Sequence, residues 1–208
     1  GERAFLKESC AKNFNLLQPV CLADMMIKGQ NAKNIRFQDT MKKDCFAATL
    51  NEREQKMRFV IMNPPFGQPW GGKDAAEGVE EAVKEEFKLR FKGRFGAGLP
   101  ATGDMQLLFM QHAISKLADN GKAAIITNGS PLFSGGTSSG ESQIRRWMIE
   151  EDLIESIIAL PTDLFYNTGI GIYIFILSKI FYNQVVSKII KIRKRHSIYC
   201  VKFSELML

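Results

Sequence analysis

The sequence has little of what builds metal sites, disulfide frameworks and membrane spans. It contains four cysteines, none in a C-x-x-C pair, and only two histidines, so neither a zinc site nor a disulfide framework is indicated. Its longest apolar run, residues 170–177, is far shorter than the roughly 20 residues that a membrane-spanning helix needs. No apolar segment typical of a signal peptide stands at its start. We expect a cytoplasmic protein with reduced cysteines and no metal centre.

Neither common nucleotide-binding glycine motif stands in the glycine- and serine-rich stretch at 130–140. The stretch follows a predicted strand and precedes a predicted helix at 141–150, an arrangement that can cradle a phosphate. It matches neither G-x-x-x-x-G-K-[ST] nor G-x-G-x-x-G. Two interpretations of this stretch remain open: a flexible loop, or a segment that contacts a DNA backbone.

Composition and charge indicate one ordinary globular domain. The chain has 208 residues, of which 45% are hydrophobic and 24% charged, and its formal net charge is +6. This length is typical of a single domain with an adequate core. The positive balance is compatible with a polyanionic partner such as nucleic acid.

An apolar run that ends in Asn-Pro-Pro-Phe, residues 59–67, carries the strongest chemical signal. Such a run predicts a buried parallel strand, which the two prolines end, so Asn63 should lie at the carboxyl edge where open α/β sheets bind ligands. Pro64 and Pro65 lack an N–H, so this turn presents mainly acceptors. With the Asn63 amide and the Phe66 ring, it can bind an NH2 group on a planar ring, such as N6 of adenine. An ordinary Pro-Pro turn is the alternative.

This stretch resembles the catalytic motif of the N6-adenine DNA methyltransferases that use S-adenosylmethionine. The resemblance implies that the Asn63 side chain and the Pro64 carbonyl accept hydrogen bonds from the target amine, which localise its lone pair for direct attack on the methyl group. Pro65 belongs to the same catalytic turn, and Phe66 would stack on a base flipped out of the duplex. The sequence has no Pro-Cys dipeptide, which argues against the cytosine-C5 enzymes that need a cysteine nucleophile.

A second stretch, residues 160–170, narrows the resemblance. Its Leu-Pro and its Leu-Phe-Tyr-Asn-Thr-Gly-Ile, followed by a predicted strand at 171–178 and Lys179, resemble the modification subunit of type I restriction systems. The resemblance implies that Phe165 and Tyr166 pack against the flipped base. It also implies double-stranded DNA, a specificity subunit and a restriction (motor) subunit as partners. Buried aromatics in a turn between strands are the alternative.

The sequence offers few residues that could bind the cofactor. Residues 34–40 resemble a short strand that ends in an acid, and the resemblance implies that Asp39 accepts a hydrogen bond from the cofactor's adenine amino group, although an ordinary turn is equally open. The family's glycine-rich cofactor loop, expected before residue 18, is absent, as is the acid that binds the ribose. We therefore expect a partial catalytic domain over 1–208. A non-catalytic, degenerate copy that binds protein or DNA is the alternative function.

The remaining pattern predicts a Rossmann-like methyltransferase fold of α/β class, a largely parallel sheet with helices on both faces, incomplete at its N-terminus. A first helix should end at Gly29. The charged run at 80–94 predicts a helix from about 75 to 92 with a solvated face, or part of a mobile lid or insertion over 68–102. Another helix, in which His112 is structural, should begin at residues 103–104 and end at 120–121, before a strand at 122–127. A further strand is expected at 153–160.

Overall fold

The computed structural model describes residues 22–29, 38–49, 53–161 and 169–179. Helices and strands are interspersed along these residues. In chain order the elements are α1 (22–27), β1 (Met57–Met62), α2 (Val79–Lys88), a 3-10 turn (Arg90–Lys92), α3 (Gln106–Lys116), β2 (Leu117–Asn128), α4 (Ser130–Phe133), α5 (Gly140–Glu150), β3 (Ile154–Ala159) and β4 (Ile172–Ser178).

The four described strands form one sheet in the order β1-β2-β4-β3. β1 and β2 are parallel, whereas β4 runs antiparallel to both β2 and β3. Therefore β1, β2 and β3 point in the same direction, and β4 alone is reversed between two of them. The predicted α/β class is confirmed, and three of the four described strands run in the same direction, although only the pair β1 and β2 is parallel.

All four strands contribute residues to a common core, and β1 and β2 bury one side of their pleat. In β1, Val60 is 1% and Met62 5% exposed, while Phe59 and Ile61 on the other side are 58% and 63% exposed, as the two-residue period of a strand requires. The helix α3 packs against β2 and is buried at ten of its eleven positions. The core therefore lies between the buried side of the sheet and the helices that cover it.

Several predicted boundaries need correction. The helix expected from residue 75 begins at Val79, because Gly78 has a left-handed φ of +74°, which no interior helix position adopts. The helix expected to end at 120–121 ends at Lys116. Leu117 instead turns into extended backbone and pairs with Met57, so β2 is longer than the predicted strand at its amino end. The next pair is Phe59 with Lys122, so residues 118–121 form an irregularity in the register between β1 and β2.

Other predictions agree with the structure. The first helix does stop at Gly29, which has φ +63° and donates its N–H to the carbonyl of Met26 at 3.0 Å, a common helix ending. The strands expected at 153–160 and 171–178 are β3 and β4, each within one residue of its predicted bounds. Among the described residues, no helix is both long and apolar enough to cross a membrane.

The segment at 68–102, expected to be a charged lid or insertion, contributes to the core. Trp70 is 2% and Phe95 0% exposed. The helix α2 has an exposed charged side, as predicted, but Glu86 on that helix pairs with Arg94, whose side chain is 5% exposed. His112, predicted to be structural, is fully buried, with its Nδ1 at 3.2 Å from Nη1 of Arg94. Buried residues that precede α2 and buried residues that follow it in the sequence therefore fix this part of the chain in the fold.

Candidate active site

Asn63 directly follows β1 at the carboxyl edge of the sheet. Met62 pairs with Ile125 of the parallel neighbour β2, which continues for three more residues to Asn128. The side chain of Asn63 is exposed, whereas Pro64 behind it is buried. The structure therefore presents the Asn63 amide to solvent from a rigid, buried support, at the edge where the sequence predicted it.

The turn that follows combines acceptors with an aromatic ring. Pro65 and Phe66 are both half-buried, and Gly67 has φ +61° with open space around it, a conformation that strains most side chains. Because neither proline has an N–H, their backbone can only accept hydrogen bonds. The Asn63 side chain, the Pro64 carbonyl and the Phe66 ring are brought together in four consecutive residues, and that set can bind an amine on a planar ring.

The chain after this turn is tied to the segment that precedes α3. Met105 donates its N–H to the carbonyl of Gln68 at 3.1 Å, and the N–H of Trp70 donates to the carbonyl of Thr102 at 2.9 Å. The indole Nε1 of Trp70 donates to the carbonyl of Ala101 at 3.1 Å. We call residues 101–105 the support segment, since it holds the outgoing end of the 63–71 loop.

Asp39, the predicted cofactor residue, lies in a turn. Its Oδ1 accepts the N–H of Met41 at 3.0 Å, and its carbonyl accepts the N–H groups of Lys42 and Lys43, each at 3.1 Å. Residues 38–40 are not in a strand, which corrects the expected strand there; residues 34–37 lie outside the described residues. A half-buried carboxylate in a turn can accept from an adenine amino group. Among the described residues, however, sequence and structure assign no group to the methionine and ribose parts of S-adenosylmethionine, so these residues do not by themselves form its complete site.

The glycine- and serine-rich stretch is partly structured. Ser130–Phe133 forms the short helix α4, and Ser139 caps α5 by accepting the N–H of Ser142 at 3.3 Å. Glu141 in the first turn of α5 is 7% exposed and accepts the N–H of Ala101 at 2.6 Å. Burial raises the pKa of Glu141, but the Ala101 hydrogen bond and others outweigh this effect, so the pKa is lowered from its usual value. The stretch thereby joins α5 to the support segment.

Sequence reasoning missed two residues beside the predicted site. Gln106, fully buried in the first turn of α3, bonds to Asn128 at the end of β2. Only their positions at an element boundary, a helix start and a strand end, could have signalled them. Phe165 and Tyr166, predicted to contact the base, lie outside the described residues.

Known proteins are similar to this chain in sequence and in fold. The family model described as N-6 DNA Methylase matches residues 12–202. The chain belongs to the N-6 DNA methylase family. It is 31% identical over 127 residues to the type I restriction enzyme HindI methylase subunit of Haemophilus influenzae, a match that covers 61% of this chain and 25% of that protein. The EcoKI methylase subunit of Escherichia coli is 29% identical over 128 residues, with 62% of this chain and 20% of that protein covered.

A solved member of the same group gives the structural comparison. The methyltransferase subunit of the type I restriction-modification system of Streptococcus thermophilus is 28% identical, with a TM-score of 0.58 over 78% of this chain and 31% of that one. The predicted methyltransferase fold is thus confirmed for this member of the N-6 DNA methylase family. The chain spans a fifth to a third of the length of these relatives.

Proposed function

We propose that this chain forms the target-base part of a site that transfers a methyl group from S-adenosylmethionine to N6 of adenine in DNA, within a restriction-modification system. The supporting observation is the exposed Asn63 amide on the buried Pro64, at the carboxyl edge of a parallel strand pair. Membership in the N-6 DNA methylase family supports the same chemistry.

The residues of the turn would act on the amine by hydrogen bonding and stacking. The Asn63 side-chain oxygen and the Pro64 carbonyl accept the two N–H groups of the amine, while Pro65 keeps the turn rigid. Since the nitrogen lone pair is otherwise delocalised into the ring, two fixed acceptors favour the form in which it is available for attack. Phe66 stacks on the base after it leaves the duplex. S-adenosylmethionine, when bound, supplies the methyl group.

Phe165 and Tyr166 complete the proposed base contact, and Asp39 the proposed contact to the cofactor's adenine. Double-stranded DNA is the substrate, and a specificity subunit and a restriction (motor) subunit are the partners that we propose. The relatives are named as methylase subunits of type I restriction enzymes, which supports a role inside such a complex. A subunit of this kind leaves sequence reading to its partner.

The target-base role can be tested without a complete cofactor site. In titrations of the full chain with 9-methyladenine, we expect the side-chain amide NMR signals of Asn63 to shift. Titration with N6,N6-dimethyl-9-methyladenine, which lacks both N–H groups, should leave them in place. Asn63→Ala should abolish the response of the neighbouring residues to adenine. Equal responses to both compounds would contradict the proposed amine contact.

The cofactor role needs a separate measurement. Calorimetric titration with S-adenosylmethionine should show binding that Asp39→Ala weakens. Methyl transfer from labelled S-adenosylmethionine to unmethylated DNA should then fall by about 100-fold or more in Asn63→Ala, as for the loss of a transition-state hydrogen bond. Absence of cofactor binding would favour the alternative, a non-catalytic domain that retains the fold.

A further inference from the structure

The carboxamide of Gln106 is fully buried at the carboxyl edge of the sheet. Its Oε1 accepts the N–H of Asn128 at 3.0 Å. Its Nε2 donates to Oδ2 of Asp104 at 2.8 Å and to Oδ1 of Asn128 at 2.9 Å. Both N–H donors and the oxygen are therefore used. Burying an amide is costly unless it is hydrogen-bonded, so these three bonds fix the orientation of the side chain.

The two partners of Gln106 hold the ends of neighbouring elements. Asp104, two residues before Gln106, also accepts on Oδ1 the backbone N–H of Gln106, the first residue of α3, at 3.1 Å. Asn128 ends β2, and its Oδ1 also accepts the N–H of Ser130 at 2.8 Å. Gln106 thus joins the support segment, to which Asp104 belongs, to the end of the strand beside β1.

A single residue, Met105, connects this junction to the loop that carries Asn63. Met105, between Asp104 and Gln106, donates its N–H to the carbonyl of Gln68 at 3.1 Å. At its other end the loop is fixed by β1, whose Met62 pairs with Ile125 of β2. Both ends of the loop therefore depend on β2: one through strand pairing, and the other through Gln106 and the support segment.

We infer that Gln106 is a positioning residue, which sets the geometry of the Asn63–Phe66 turn by locking the support segment to the end of β2. The inference rests on the proposed function, since it gives Gln106 a role in the same methyl-transfer site. The Gln106 side chain bonds to Asp104 and Asn128 rather than to Asn63, so it would act through Met105 and Gln68. A displacement of about 1 Å at a reacting group can reduce a rate about 100-fold, which sets the size of the expected effect.

The same helix offers a matched control. Gln111 is 1% exposed and also bonds with both ends of its carboxamide. Its Oε1 accepts the N–H of Ala97 at 3.2 Å, and its Nε2 donates to the carbonyl of Gly98 at 2.9 Å. Neither contact belongs to the support segment or to β2. Truncation of Gln111 removes the same side chain from the same helix without touching the proposed junction.

The test compares Gln106→Ala with Gln111→Ala, and adds Asp104→Asn as a milder variant. Asp104→Asn replaces the acceptor that faces Nε2 of Gln106 and opens no cavity. We expect kcat for methyl transfer to fall about 10- to 100-fold in Gln106→Ala, with KM for S-adenosylmethionine changed less than about twofold. Gln111→Ala should keep kcat within about twofold when both variants are assayed well below their unfolding temperatures.

Hydrogen exchange of the unliganded chain gives a second readout that needs no activity. In Gln106→Ala and Asp104→Asn, the amides of Met105, Trp70 and Asn128 should exchange at least about tenfold faster, while in Gln111→Ala only the amide of Ala97 should do so. The response of Asn63 to 9-methyladenine should weaken in the same two variants.

The outcomes separate this inference from the proposed function. If the wild-type chain binds 9-methyladenine and Gln106→Ala matches Gln111→Ala in exchange and in adenine binding, Gln106 is merely structural and the inference is overturned. If the wild-type chain neither binds adenine nor transfers methyl groups, the proposed function fails. In that case the exchange of Met105 and Trp70 still decides whether Gln106 holds the support segment.

Discussion

Arg94 and Glu86 form an ion pair in which the guanidinium is buried and the carboxylate is partly exposed. Nε of Arg94 lies 2.8 Å from Oε1 of Glu86, and Nη2 lies 2.5 Å from the same oxygen. The guanidinium also donates to the carbonyl of Thr40 at 2.5 Å and contacts Nδ1 of His112 at 3.2 Å. Since a guanidinium can only donate, His112 must accept on Nδ1. One side chain thus joins α2, α3 and the turn at residues 39–41.

Arg94→Met should destabilise the fold strongly. The substitution keeps an apolar stem but leaves the carboxylate of Glu86 without its buried partner, and the free energy of unfolding should fall by about 3–5 kcal/mol. Urea denaturation followed by far-ultraviolet circular dichroism measures this change. Arg146→Met is the control, because Arg146 pairs with Glu150 on the surface of α5 with a side chain that is 76% exposed. An Arg94 variant as stable as the Arg146 variant would contradict the burial of the Arg94 guanidinium.

Acid should weaken the fold through two carboxylates. Burial raises the pKa of Glu86, but the hydrogen bonds and charge of Arg94 outweigh this effect, so the pKa lies below the ordinary 4.5. Burial likewise raises the pKa of Asp44, but the hydrogen bond and charge of Lys116 outweigh it, so this pKa lies below the ordinary 3.8. A carboxyl whose pKa is lower in the folded state stabilises the fold above its unfolded pKa, and that contribution is lost as the pH falls through the folded pKa. The free energy of unfolding should therefore begin to fall near pH 4.5 and continue to fall below pH 3.8.

Urea titrations at several pH values measure this dependence. The double variant Glu86→Gln, Asp44→Asn has no carboxyl left to protonate at these two sites, so its stability should be lower at neutral pH and should change less with acid. If the wild-type protein and the double variant lose stability in parallel, other groups are responsible for the acid sensitivity.

Gly140→Ala should also destabilise the protein, although alanine normally favours a helix. A Cβ at Gly140 would overlap the backbone carbonyl of Leu99, and neither backbone can yield easily, because Glu141 ties α5 to Ala101 at 2.6 Å. Overpacking of this kind costs about 1–3 kcal/mol. Gly136→Ala is the control, since a Cβ there would meet nothing within 4 Å. Thermal unfolding of both variants decides: equal melting temperatures would refute the close approach of α5 to residue 99.

The sequence predicted the strands better than the polar contacts between elements. The runs that became β1, β3 and β4 are short, apolar and bounded by prolines, glycines or charged residues, so local pattern was enough to find them. The amino end of β2 was missed because Leu117 fits the apolar spacing of the preceding helix, and only its pairing with Met57 places it in the strand. Non-local pairing of this kind leaves no trace in a local pattern.

In the candidate site, too, the features that depend on local sequence were predicted and those that depend on contacts between elements were missed. The Asn63–Phe66 turn is contiguous in sequence, so its chemistry could be predicted and the structure places it at the expected edge. Gln106 and Asn128 are 22 residues apart, and the charges at 80–94 predicted a solvated face although Arg94 is buried. Which polar residues are buried depends on partners from other elements, such as Thr40 and His112, and spacing along the chain does not reveal them.

A buried hydroxyl on β2 provides a test in which stability should rise. Thr127 is 0% exposed, and its Oγ1 has no hydrogen-bond partner within the described part of the chain. Leaving a buried polar group unpaired costs about 1–3 kcal/mol, so Thr127→Val, which keeps the shape and removes the hydroxyl, should raise the free energy of unfolding by about 1 kcal/mol or more. Thr127→Ser separates the two effects, because it keeps the hydroxyl and deletes a methyl group, and it should lower the free energy of unfolding by about 1 kcal/mol. Urea denaturation of the three proteins side by side measures both changes. A loss of stability in Thr127→Val as large as that in Thr127→Ser would mean that the hydroxyl does have a partner in the folded protein.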